Sequence, residues 1–356
     1  MASKIPDIKT AKENRLKYVC ISLGLMVALI SGIAVAATFG AADISVSDVT
    51  QIVHSHLRNL PIPDDMRSLD LIVWQIRMPR ILMAVIIGMA LAGSGVVFQA
   101  VFQNPMADPY VLGISSGAAF GAATVIVTGF VVTIPFFSTV TLGAFIGAMA
   151  ASFAVWQISK VGGKTQVMTL LLSGIALNFL LSSGISMLMV FNREQVERIV
   201  FWTMGSFATA SWTQVAVMII PVTVGILIFR IFSRDLNIML MGEDVAQSLG
   251  VNVEYLRIIL ILTASAVTAA AVSVSGIIGF VGLIVPHAVR LMIGPDHRRL
   301  IPISVLVGGL FLLVADTVAR TIFAPSEIPI GVMTAFIGAP YFIFLLQNSK
   351  GKLTGR

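Results

Sequence analysis

Pro79-Arg80-Ile81-Leu82-Met83-Ala84-Val85-Ile86-Ile87-Gly88-Met89-Ala90-Leu91-Ala92-Gly93-Ser94-Gly95-Val96-Val97-Phe98-Gln99-Ala100-Val101 carries its only charge at the second position and then runs uncharged to its end. An apolar run of about 18 residues or more reads as a helix that crosses a bilayer. Working outward from it, similar runs lie near 18–40, 110–130, 138–158, 167–190, 214–232, 256–275, 277–292, 301–322 and 331–348, so the chain is expected to hold ten spans. The run at 277–292 is too short to cross unless it begins inside the protein. It starts in a glycine-rich stretch, Ser275-Gly276 to Gly282, and Pro286 interrupts it. Irregular backbone at membrane depth is tolerated only against protein or a cavity. His287, next to that proline, reads as a hydrogen-bonding partner for a freed carbonyl.

Composition supports the same solvent. Of 356 residues, 57% are hydrophobic and 11% charged, with mean hydropathy +0.96. Soluble domains carry about 25% charged residues, and the alternating pattern of a membrane barrel is absent. The fold class expected is all-α and polytopic, one transmembrane domain over 1–356. It carries an external loop at 41–76 and a cytoplasmic loop at 233–255. One cysteine, Cys20, excludes a disulfide framework or a cysteine-based metal cluster.

The net charge of +6 reports topology rather than nucleic acid, because the bases are clumped. With both termini in the cytoplasm, every lysine falls inside, together with Arg15, Arg230, Arg234, Arg257, Arg290, Arg298, Arg299 and Arg356. The bases left outside are Arg58, Arg67, Arg77, Arg80, Arg193, Arg198 and Arg320. This is the bias of a multi-pass cell-membrane protein. The basic start followed by an apolar run at Tyr18–Phe39 is read as an uncleaved first helix, with cleavage near Ala36–Ala42 the alternative.

Signatures of catalysis fail one by one. Gly163-Lys164-Thr165 ends like a phosphate-binding loop, but Ile158 stands where its first glycine belongs and no strand precedes it. Any ATP use must therefore come from a partner, and no cofactor is expected on this chain. His54 and His56 sit two apart with no third metal ligand nearby. Gly93-Ser94-Gly95 and Ser115-Ser116-Gly117 are small-residue packing patches. Gly113, Gly117 and Gly121, like Gly143 and Gly147, recur every fourth residue, a spacing that lets helices approach closely. The intramembrane acid Asp316 lies four residues before Arg320, on the same helix face. An ion-gradient-coupled secondary transporter of a metal chelate, the alternative reading, usually needs a buried acid within the membrane, and none lies between the ends of the other spans. An integral membrane enzyme would need clustered catalytic groups, and His287 with Asp316 makes no such cluster.

Specific strings then become recognisable: Trp74-Gln75-Ile76-Arg77-Met78-Pro79-Arg80, Asn104-Pro105-Met106-Ala107-Asp108-Pro109, Leu112-Gly113-Ile114-Ser115-Ser116-Gly117, Trp202-Thr203-Met204-Gly205, Gly279-Phe280-Val281-Gly282-Leu283-Ile284-Val285-Pro286-His287 and Glu327-Ile328-Pro329-Ile330-Gly331. From about residue 70 onward this ordered set resembles the FecCD family of ABC importer permeases, which includes the membrane subunit of the vitamin B12 importer. The resemblance implies a ten-helix subunit that pairs with a second copy. It also implies two ATPase subunits on the cytoplasmic side and an extracytoplasmic binding protein. The cargo implied is a ferric siderophore, haem or corrinoid, moved by alternating access. Arg77, Arg80 and Arg320 match arginines that dock the binding protein. Reversing Arg77 or Arg320 to glutamate is then expected to cut transport with assembly intact. Gly242, Glu243, Asp244, Ala246, Leu249 and Gly250 fall in a segment similar to the helix that couples to the ATPase. Asn104, Met106, Val167 and Met168 resemble the inner gate by position, with an apolar Val167–Met168 pair where the vitamin B12 permease has hydroxyls.

Overall fold

Helix accounts for most of the computed structural model, which describes residues 8–40, 42, 44–161 and 164–353. Lys4, Ala41, Gly163 and Arg356, used in the sequence reading, lie outside the described residues. In chain order the helices are α1 (Ile8–Thr38), α2 (Val46–Arg58), α3 (Arg67–Asp70), α4 (Met78–Val101), α5 (Ile114–Thr128), α6 (Thr139–Ile158), α7 (Val167–Phe191), α8 (Val196–Met204), α9 (Trp212–Ile231), α10 (Ser233–Met239), α11 (Glu243–Ser248), α12 (Val253–Ser275), α13 (Val281–Ile293), α14 (His297–Thr321) and α15 (Ile330–Leu353). Each expected span is met by one of them. Seven helical stretches are long and apolar enough to cross a membrane, while α5, α13 and α15 contribute shorter apolar stretches.

The helix quoted at the outset, α4, is apolar on all sides, and such a helix belongs in the interior. It is buried along nearly its whole length and packs on α14, α12, α13 and α9. Lipid gives helices no hydrophobic reason to associate, so close backbone contact must hold them. A Cβ on Gly88 would overlap the Gly308 carbonyl of α14, and one on Gly95 the Gly282 carbonyl of α13. The glycines at four-residue spacing do the same for α5 and α6: Gly117 abuts Gly147 and Gly121 abuts Gly143. They are ordinary bundle packing within one subunit. In contrast, α7 is almost unburied, with Leu172, Phe179, Leu180 and Met187 all exposed.

The short span behaves as its glycines and proline require. At 13 residues α13 reaches about 20 Å by the 1.5 Å rise per residue, against about 30 Å of hydrocarbon. Its non-helical approach, 276–280, is satisfied by protein. Ser206 N donates to Ser275 O at 2.8 Å, and the Tyr110 hydroxyl donates to Ile278 O at 2.9 Å. Pro286 lacks the N–H that would meet Gly282 O. The buried Gln99 Nε2 of α4 meets that carbonyl at 3.4 Å and Leu283 O at 3.0 Å. The expected partner, His287, does not; its Nδ1 has no hydrogen-bond partner. A side chain from the neighbouring helix reaches the gap, and one on the same helix, five residues on, points elsewhere.

The stretch 44–76, expected as an external loop, is largely helical. Ser45 and Asp48 cap α2 reciprocally, with Asp48 N donating to Ser45 Oγ at 3.1 Å. After α3, residues Leu71–Arg77 form a wide π-type turn that runs on into α4. His56 pairs with Asp70 at 2.6 Å and stacks on Trp74 at 4.1 Å. His54 takes no part in that pairing.

Candidate functional site

Three regions carry the functional expectations, beginning at the C-terminal end of α1. The last four carbonyls of a helix have no partner within it, and here all four are met. Thr38 Oγ1 donates to Val35 O at 2.8 Å. Arg77 Nη1 donates to Ala37 O at 2.7 Å and Thr38 O at 2.9 Å, and its Nη2 to Ala42 O at 2.7 Å. Arg320 donates to Ala36 O and, at 3.0 Å, to Phe39 O. Two cations at a helix C-terminus also oppose its dipole. Beside them Arg80 forks onto Asp316, with its Nε and Nη2 at 3.0–3.1 Å from the carboxylate. Arg80 Nη1 reaches Glu327 at 2.8 Å.

All three arginines are buried, at 5%, 7% and 6% exposure for Arg77, Arg80 and Arg320. The structure therefore brings the expected docking residues together and turns them inward, with Arg320 Nε buried without a hydrogen-bond partner among the described residues. Asp316 takes its partner mainly from α4; Arg320, its neighbour one turn on, stands 3.9 Å away. Reversal of Arg77 or Arg320 to glutamate would set a carboxylate against helix carbonyls, so assembly would suffer along with transport. Burial is what sequence position could not reveal.

At the opposite end, the 233–255 segment folds as two short helices set on the bundle. Gly242, with φ of +108°, and Gly250, with φ of +86°, bracket α11 in a conformation that side chains rarely adopt. Ala246 is fully buried, and Glu243 is tied to the buried Arg257 of α12. Asp244 is exposed, and so are Leu240, Met241, Val245 and Leu249, at 48%, 67%, 40% and 60%. Val245 and Leu249 share a face, as their spacing requires; Ala246 faces the other way and is the anchor.

The expected gate residues lie where α4 ends and α7 begins. Asn104 Oδ1 accepts from Met106 N at 2.9 Å, closing a turn. Met168 is 69% exposed and Val167 packs partly on the core. No hydrogen bond among the described residues joins the two pairs. Further along α7, a cavity of about 770 Å³ opens between α5, α7 and the 277–283 turn. Ser115, Ser116, Asn178, Ser182 and Thr203 are among its lining residues, together with Phe280 and Leu283. A second cavity of about 660 Å³ lies across Phe280, lined by α15 through Val332, Ala335, Phe336 and Ala339. Phe280, at φ +70°, stands between the two. This surface is mainly apolar, with a few hydroxyls and amides and Asp108 as its one charged lining residue, and α7 is largely unburied beside it.

The fold and these sites define a multi-pass α-helical membrane permease. The FecCD transport family model matches residues 26–348, and the chain belongs to that family. It is 47% identical over 281 residues to the cobalamin import system permease protein BtuC of Halobacterium salinarum, covering 79% of this chain and 74% of that one. It is 40% identical over 290 residues to the hemin transport system permease protein HmuU of Yersinia pestis, covering 80% and 85%. Among solved structures, a metal-chelate type ABC transporter in an inward-facing conformation matches with a TM-score of 0.77 at 32% identity, covering 93% of this chain and 99% of that one.

Proposed function

We propose that the chain is the membrane subunit of an ATP-driven importer of a large metal chelate: a corrinoid, haem or ferric siderophore. It works as a homodimer with both termini in the cytoplasm. Two ATPase subunits seat on the α10–α11 turn, and a substrate-binding protein docks at the outer end near Arg77, Arg80 and Arg320. The binding protein's acids would have to compete there with Asp316, Glu327 and the α1 carbonyls, so docking and the seating of α1 are linked. Cargo passes between facing α7 and α15 surfaces, and a mostly apolar lining with little charge suits a ligand that must be released. Asn104, Met106, Val167 and Met168 close the inner mouth.

The observation that carries this reading is the α10–α11 turn. It is clamped through Ala246 and the Glu243–Arg257 pair while it presents four large apolar side chains to the outside. Exposed apolar clusters of this kind mark interaction sites. A body with no nucleotide fold of its own has in that turn a rigid lever for one supplied by a partner. Reconstitution tests it. Uptake of cobalamin or haem into proteoliposomes should need the ATPase, ATP and the binding protein together, and vanadate should stop it. Accumulation by this chain alone under a proton or sodium gradient would overturn it.

A further inference from the structure

At the end of the molecule that carries the α10–α11 turn, a cavity of about 580 Å³ opens between the start of α1, the end of α9 and the start of α14. Its lining includes Arg230, Arg298 and Arg299 against one acid, Asp296. Asp296 holds Arg299 at 3.4 Å and accepts from Asn237 Nδ2 at 2.7 Å. Arg230 reaches only the Ser233 hydroxyl, at 3.2 Å, and the exposed Arg298 guanidinium has no partner among the described residues. Arg299 also lies over the Tyr18 ring, 4.1 Å from its centroid. The pocket thus holds an excess of positive charge in a concave site, with an aromatic ring of the kind found at membrane–water interfaces.

Two further lining residues, Val19 and Leu23, are 47% and 52% exposed. They begin a ridge that continues along α1 through Met26, Val27 and Ile30, all exposed. A charged pocket that opens onto an apolar ridge running into the membrane matches one amphiphile: a phosphate headgroup with an acyl chain below it. Free phosphate would use the arginines and ignore the ridge.

We propose that this cavity binds an anionic phospholipid of the cytoplasmic leaflet, its phosphodiester held by Arg230, Arg298 and Arg299 and one acyl chain lying on Val19, Leu23 and Val27. Basic pockets between helices on the cytoplasmic side are suited to such headgroups. The side of the membrane rests on the orientation proposed above. The test below reads headgroup chemistry, so its failure would leave that orientation standing.

The test is native mass spectrometry of the purified transporter, permease with its ATPase, after exposure to equal phosphatidylglycerol and phosphatidylcholine. Phosphatidylglycerol should be retained preferentially, and each arginine removed should cost about five-fold in that preference. Arg230→Gln with Arg298→Gln should abolish it, Arg298→Lys should keep most of it, and Arg193→Gln at the other end should change nothing. Excess inorganic phosphate should not displace the lipid. Equal retention of the two lipids by the unaltered protein would overturn the proposal whatever the variants do. So would full displacement by phosphate, which would mark a simple anion site. Retention by the permease alone but not by the assembled transporter would mark the cavity as part of the ATPase's seat, and would also overturn it.

Discussion

The two ends of the bundle handle charge in opposite ways. At the end where α1 stops, Arg77, Arg80, Arg320 and Asp316 are all buried, and their hydrogen bonds close on carbonyls at the end of α1, on Glu327 and on one another. At the α10–α11 end the buried charge is Arg257 with its partner Glu243, and the outward face is apolar. The arginines expected to dock a partner are buried and hydrogen-bonded within the subunit at one end, while leucine and valine are exposed at the other. A buried charge must be paired or it is costly, and an exposed apolar cluster invites a cover. Energetically, then, the arginines at the end of α1 are tied to the fold, and the α10–α11 turn is the free surface.

Removing Arg80 should break that contrast most severely. Arg80→Met leaves Asp316 buried among residual donors only, and losing one partner of a buried pair costs about 3–5 kcal/mol. Thermal unfolding in detergent should show a large loss, which Asp316→Asn in the same chain should partly recover. Wild-type stability in the single variant would mean that the pair is not buried as described. Leu249→Asp should do the opposite. Stability should stay within about 0.5 kcal/mol, as for a surface change, while ATPase stimulation by loaded binding protein should fall about ten-fold or more, as for an interface hot spot of roughly 1.4 kcal/mol or larger. Full stimulation in that variant would remove the turn from the coupling role. The smallest effect belongs to Arg77→Lys, which keeps the charge but lacks the planar fork that spans the Ala37, Thr38 and Ala42 carbonyls together. It should cost about 1 kcal/mol, the net worth of a hydrogen bond, and hydrogen exchange should quicken at Ala36–Ala42 with the rest of the bundle unchanged. A uniform change across the bundle would mean that Arg77 is no local cap.

Much of the bundle was legible because a membrane imposes a coarse rule. An uncharged run such as Ile81–Val101 has one stable solution in lipid, and Gly276 with Pro286 announces a helix that starts late. The glycine spacing in α5 and α6 likewise named its own interface. Other features gave no such signal. Gln99 stands in α4 as an ordinary polar residue; only the fold sets it opposite the carbonyl that Pro286 leaves unpaired. Its signal existed, a proline four residues after Gly282, but the sequence does not say which helix supplies the donor. Glu327 and Trp212 similarly acquire partners from α4 and from the turn before it, Arg80 and the Trp74 carbonyl, more than a hundred residues away in sequence.

The sequence by itself determined the apolar, helical character of the spans, the half-helix and the turn at Gly242–Gly250. Each depends on local hydropathy or on a backbone preference carried by the residue itself. Tertiary structure alone decided which polar groups remain available. Whether Arg77 reaches outward or inward depends on where the last turn of α1 lies, and whether Leu249 is covered depends on how Ala246 and Glu243 anchor its helix. Burial is a property of neighbours brought together by folding, so no residue carries it in advance.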